Sequence, residues 1–204
     1  MLESRRLCFA AIRRTASQIV TGMTEEDGVA VLRRVLREQG LVQEWHGASL
    51  RIGANTRLAY DVSSKPGVAL GENDIFFIDI GPVWRDCEAD GCDTFVIGHD
   101  PEMHRIASDA RDVFETVRSR WLAERLTGQG MYRIVAEESQ ARGWLLDPLL
   151  TGHRVSDFPH AAHHDGALAD VAFVPSPNLW ILEIQLRHPT RPFGAFYEDL
   201  LTDT

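Results

Sequence analysis

The stretch from Asp74 to Gly98, DIFFIDIGPVWRDCEADGCDTFVIG, constrains this chain more than any other. Ile75, Phe76, Phe77 and Ile78 form an apolar run of strand type that delivers one acid, Asp79, before Gly81 and Pro82 punctuate it. Asp90 follows eleven residues after Asp79, ahead of a second β-type run, Thr94, Phe95, Val96 and Ile97, closed by Gly98. The pattern predicts two neighbouring strands of one sheet, each presenting an inward carboxylate. A carboxylate on a buried strand is costly unless it is paired or holds a cation. Two from adjacent strands are therefore the start of an oxygen-rich metal site. Taken singly, Asp79 fits a turn cap and Asp90 a solvated loop acid equally well.

The 204 residues fit one domain, 1–204, with length enough to bury a sizeable core. A formal net charge of -9 argues against nonspecific nucleic-acid binding and against anionic membrane surfaces, so neither is expected as a partner. Cys8, Cys87 and Cys92 do not make a secreted disulfide framework. Cys87 and Cys92 flank Asp90 and read more simply as packed thiols than as soft ligands. The opening Met-Leu-Glu-Ser-Arg-Arg lacks the apolar region of a signal peptide, and no apolar run nears the ~20 residues that span a bilayer. A cytoplasmic location is expected.

Helical spacing covers residues 3–20 and again a segment opened by Thr24, with Asp27 completing an imperfect capping box and Gln39-Gly40 ending it. Ser49 to Ile52 is a strand candidate, and residues 63–67 are a turn cluster. A long amphipathic helix is expected from Pro101 to about Leu126, ended by Gly128 and Gly130, then another over about 131–142. The remainder reads as strand and loop and holds five of the eight histidines. There Leu179 to Leu186 places Glu183 among apolar neighbours, and Phe193 to Leu201 does the same around Glu198. Asp79, Asp90, His153, Glu183 and Glu198 together make a hard, oxygen-dominated set suited to Mn, Fe or Co and able to take Zn. Four carboxylates exceed the need of one cation; bridging between two cations accounts for them.

These residues resemble the pita-bread metallopeptidases, the family of methionine aminopeptidase, aminopeptidase P and prolidase. Ile78-Asp79-Ile80-Gly81 looks like the family's first metal aspartate, and Ala89 to Phe95, around Asp90, like its second. Thr151-Gly152-His153 resembles the turn that supplies the histidine ligand, Leu182-Glu183-Ile184 the next ligand, and Tyr197-Glu198-Asp199 the last. Thr21 to Glu25 looks like the family's helix start, so the resemblance covers nearly the whole chain. It implies an α+β fold, a curved, mostly antiparallel sheet covered by helices with the metal site on its concave face. It implies two divalent cations, with Asp79 on one, His153 and Glu183 on the other, and Asp90 and Glu198 bridging. A metal-bridging water would be the nucleophile, Glu183 its proton acceptor, and His160 a hydrogen-bonding partner of the substrate. The chain starts at what would be the catalytic domain's first helix, as expected for a one-domain form.

Several neighbours depart from the family pattern. Tyr60 stands where a histidine is usual, Asp93 where a basic residue is, and Phe196 where prolyl-selective members often carry arginine. Proline is missing after Glu183, and Arg154 and Ser156 replace glycines of the histidine turn. Tyr60 and His163 are the candidate substrate-binding residues. The expected function is amide or peptide hydrolysis by a manganese-type dinuclear enzyme, an aminopeptidase or Xaa-Pro dipeptidase of small peptides, with a homodimer compatible. Two other readings remain: a member acting on a non-peptide small amide, and a noncatalytic binding module. The intact ligand set argues against the latter and against a metal-free creatinase-like case.

Overall fold

Successive side chains of the central strands point to opposite faces of one sheet, and the helices take one of them. The computed structural model describes residues 1–162 and 164–203; His163 and Thr204 lie outside the described residues. In chain order the elements are α1 (Leu2–Ala16), α2 (Glu25–Glu38), β1 (Glu44–Ile52), β2 (Asp74–Trp84), β3 (Cys87–Glu88), β4 (Gly91–Ile97), α3 (Pro101–Glu124), α4 (Gly128–Ala141), β5 (Leu145–Leu146), β6 (His153–Arg154), β7 (Trp180–Arg187) and β8 (Gly194–Leu200). The strands form one sheet in the order β1-β2-β4-β8-β7-β5, with β3 on β2 and β6 on β7, and the pairings are antiparallel.

The capping box of α2 forms in full. The Thr24 hydroxyl accepts from the Asp27 amide at 3.2 Å while the Asp27 carboxylate accepts from the Thr24 amide at 3.0 Å. Among the elements whose ends differ from expectation, three show the local cause. Helix α1 stops at Ala16 because the amides of Gln18 and Ile19 bond the Thr15 and Ala16 carbonyls, which tightens the last turn. Helix α4 begins at Gly128, since the Thr127 hydroxyl caps it by accepting from the Gly130 amide at 3.1 Å. Strand β2 does not end at Gly81-Pro82: Pro82 pairs with Glu44 of β1, and its carbonyl accepts from Ala89.

On β2, Phe76, Ile78 and Ile80 pack with Cys8, Ile12, Leu32 and Leu36 of α1 and α2. On β7, Leu182, Ile184 and Leu186 pack with Ile106, Val113, Phe114 and Ile134 of α3 and α4. The intervening residues, Phe77 and Asp79 on β2, Glu183 and Gln185 on β7, and Phe196 and Glu198 on β8, point to the opposite face. Phe77, Cys92 and Phe196 form a small separate cluster there. Among the described residues no helix is long and apolar enough to cross a membrane.

This sorting makes Leu182 a core residue beside a site residue. Leu182→Ala should cost about 2–5 kcal/mol in chemical denaturation, the range for emptying a fully buried leucine position.

Candidate metal centre

The register of the sheet, more than any single motif, assembles the site. Ser49 pairs with Asp79, Asp79 with Cys92, Cys92 with Glu198, and Glu198 with Glu183. Three carboxylates thus lie in one row across the strands, on the face away from the helices. Asp90 joins them from the residue before β4. Like charges directly opposite each other on a sheet are destabilising, and Glu183 and Glu198 are such a pair.

The acids of the other face are handled differently. Asp93, on β4, pairs with Arg111 of α3 at 2.7 Å. Asp199, next to Glu198 on β8, pairs with Arg5 of α1. Among the described residues that line the cavity over the row, none is lysine or arginine. Asp93 and Asp199, facing the helices, are thus met by arginine, whereas the acids of the row are met by one another and by imidazoles; Arg51 of β1 shares their face near Asp79 but gives its hydrogen bonds to the carbonyls of Leu58, Ala59, Tyr60 and Val62. Burial, then the charges of Asp90, Asp79 and Glu183, push Glu198 well above the usual carboxyl range. Burial raises Asp79 to about 6 and raises Glu183 as well. Such a donor set fits divalent cations, which would remove the repulsion that these shifts record.

Two histidines face the row. His153 Nε2 is 2.9 Å from one oxygen of Asp90, and His46 Nε2 is 2.9 Å from the other. Burial opposes the charged form of both imidazoles, yet the carboxylates outweigh it, lifting His46 to about 10 and His153 to about 9. The same two imidazoles hold Asp90 far below its usual value against the effect of burial. His46, Asp79 and Asp90 offer one ligand atom each, all within 4.8 Å of one another.

Local structure explains these placements. Gly152 has φ +71, and a Cβ there would lie 2.5 Å from the Ile181 carbonyl. Its amide donates to Glu183 at 2.8 Å, so one residue both turns the chain into His153 and fixes Glu183. Tyr132 of α4 holds the Glu183 backbone through its hydroxyl, accepting from the amide at 3.2 Å and donating to the carbonyl at 3.3 Å. On β2, a Cβ at Gly81 would sit 2.1 Å from the His46 ring and 2.6 Å from the Trp45 indole nitrogen, so only glycine leaves room for His46.

Asp79, Asp90, His153, Glu183 and Glu198 all line one cavity of about 460 Å³, together with Tyr60, Phe196, Leu149 and Leu150. Tyr60 is 69% exposed, at the mouth. Phe196 packs edge-on against Phe77 at 5.6 Å in the wall. His160 is not among the residues that line the cavity. Its Nδ1 meets the buried Glu88 carboxylate at 2.8 Å, and its face stacks on Trp45 at 5.7 Å. Arg154 and Ser156, which replace glycines of the histidine turn, are engaged away from the cavity: Arg154 bonds the Ala162 carbonyl, and the Ser156 hydroxyl accepts from the Ala162 amide. Cys92 is buried in the row but has its thiol raised well above its usual value, first by burial and then by Asp79 and Glu198, and it faces the Phe196 carbonyl. His46, Trp45 and Glu88 are absent from the sequence-based site. His46 and Trp45 lie on β1 ahead of the expected strand, where two register shifts hide which way a side chain points.

The architecture is that of the pita-bread aminopeptidases and prolidases. An X-Pro aminopeptidase from Thermotoga maritima superimposes with a TM-score of 0.78 at 19% identity, over 99% of this chain and 59% of that one. A prolidase from Pyrococcus horikoshii gives 0.79 at 16% identity, over 99% and 58%. A methionine aminopeptidase from Thermotoga maritima gives 0.77 at 16% identity, over 100% and 92%. The chain thus spans about three fifths of the length of the first two. No curated protein matches it in sequence. The model of metallopeptidase family M24 matches residues 1–201, and the chain belongs to that family.

The metal-free protein should lose stability as pH rises. Protons held by Asp79 up to about 6, and by the two imidazoles up to about 9 and 10, leave the unfolded chain earlier, near pH ~3.9 and ~6.5. Above pH ~5, where Asp90 is ionised in both states, the folded state binds more protons at these groups, so the melting temperature should fall from there upward. Glu198→Gln, which removes one of the opposed carboxyls, should raise it at neutral pH in chelator.

Proposed function

We propose that this chain is a dinuclear metal-dependent hydrolase of amide bonds in small peptides, an aminopeptidase or Xaa-Pro dipeptidase in type. The row Asp79–Glu198–Glu183, with Asp90 between two imidazoles, is the observation that carries the reading. Asp79 would hold one cation, His153 and Glu183 the other, and Asp90 and Glu198 both. Mn, Fe, Co and Zn all suit these donors. When bound, such a pair activates water and polarises the scissile carbonyl.

The chain's own residues supply the rest. Glu183 is positioned to accept a proton, since Gly152 fixes one of its oxygens and burial raises its affinity for protons toward neutrality. Tyr132 keeps it from shifting along the strand. Leu149, Leu150 and Phe196 give the cavity an apolar wall that excludes water and sets the substrate's side chain. Its volume suits a dipeptide or a comparably small amide. Tyr60 can donate a hydrogen bond to substrate at the mouth. His160 enters the proposal as a positioning residue: Glu88 holds it, and it holds Trp45 against the imidazoles of the site.

The test is turnover of Xaa-Pro dipeptides, aminoacyl amides and amides lacking an α-amino group by the cation-loaded chain. Peptide turnover is expected, with at least ~10³-fold loss in Asp90→Asn and in Glu198→Gln, as for removal of a central electrostatic group. Unchanged turnover in either variant would contradict the dinuclear mechanism. Turnover confined to amides without an amino terminus would move the substrate to the non-peptide class.

A further inference from the structure

His46 stands in the same posture as His153, on the other side of Asp90. In each, Nδ1 faces the carbonyl of the next residue, Gly47 at 3.1 Å for His46 and Arg154 at 3.3 Å for His153. A carbonyl only accepts, so Nδ1 carries a hydrogen; Nε2 is the nitrogen that meets the carboxylates, donating its proton to Asp90 in the metal-free protein and becoming a cation donor once that proton leaves. In each, Nε2 is 2.9 Å from Asp90, and each takes a different Asp90 oxygen. His153 Nε2 lies 3.8 Å from Glu183, and His46 Nε2 lies 3.9 Å from Asp79. The halves of the centre therefore match: one imidazole and one private carboxylate on either side of the shared Asp90 and Glu198.

We infer that His46 is a protein ligand of the cation held by Asp79, a sixth ligand of the centre that gives both cations one imidazole nitrogen. This rests on the dinuclear reading above. The fold makes specific provision for it. Two register shifts flank His46 on β1, between Glu44 and His46 and between His46 and Ser49, and these turn a strand residue toward its neighbour's carboxylates. Opposite it stands Gly81, the position at which any Cβ would occupy the space of the ring. Trp45 packs edge-on against His46 at 4.6 Å and tilted against His153 at 5.3 Å, so one indole contacts both imidazoles, and that indole donates to the Ala89 carbonyl at 2.7 Å beside Asp90. A merely structural ion pair would explain contact with Asp90 alone; it would not explain an Asp79 oxygen within the same ligand-sized cluster. An added nitrogen on the Asp79 side makes the two cation sites alike in donor type and shifts that side from Mn toward Fe, Co and Zn.

The test is cadmium NMR of the full-length protein, loaded with a spin-active cadmium isotope and carrying histidines labelled with the spin-half nitrogen isotope. Two cadmium resonances are expected, each split by one directly bonded nitrogen. In His46→Ala one splitting should vanish, and calorimetric titration of cadmium should show one site weakened roughly 10–100-fold or more, the loss known even for outer partners of a ligand, with the other kept. Two bound cations in the wild-type protein with only one resonance split would overturn the assignment of His46 and leave the dinuclear reading intact. A His46→Ala variant that binds both cations as the wild type does would do the same. No cation bound by the wild-type protein would overturn both.

Discussion

Everything in this structure is arranged around the mutual repulsion of carboxylates on one face of a sheet. Glu183 and Glu198 are opposed across β7 and β8, and Asp79 lies in the same row. Left alone, such a row costs stability: its members are forced to hold protons that free carboxyls would release near pH ~4. A protein keeps that arrangement when something positive repays it, and the imidazoles of His46 and His153 are in place for only part of the charge. Two divalent cations would neutralise the rest.

The opposite face carries the stability that this costs. Two apolar clusters, one beneath α1 and α2 and one beneath α3 and α4, anchor the same strands from behind. The acids that point that way are neutralised in the ordinary manner. Asp93 takes Arg111, and Asp199 takes Arg5, although Asp199 is the immediate neighbour of Glu198. Parity along a strand thus separates acids paired with arginine from acids that line the cavity. It also disposes of one departure from the family pattern: Asp93 faces α3, so its charge does not alter the substrate pocket. Phe196 and Tyr60 do face the cavity, and they are where a difference in substrate would arise.

The sequence made the sheet acids legible because Asp79 and Glu183 each sit between apolar strand residues and the Glu198-Asp199 pair falls within an apolar run, whatever the tertiary context. The helices were legible from apolar residues at their own period, with ends blurred by caps: Thr127 starts α4 at a glycine that reads as a breaker. Position in the row was not legible, because it depends on Cys92 pairing with Glu198, more than a hundred residues away. Nor was His46, since the register shifts of β1 break the alternation that would have assigned it a face. His160 shows the reverse. The family resemblance implied a place beside the substrate for His160, and its imidazole meets the Glu88 carboxylate, buried on the two-residue strand β3, and stacks on Trp45.

The account turns on whether the row is a two-cation site. Elemental analysis of protein purified without chelator, joined to calorimetric titration of Mn, Fe, Co and Zn into the chelated form, tests it most directly. Close to two tight equivalents are predicted, both lost in Asp90→Asn. A well-folded protein that takes up none of these cations would contradict the account.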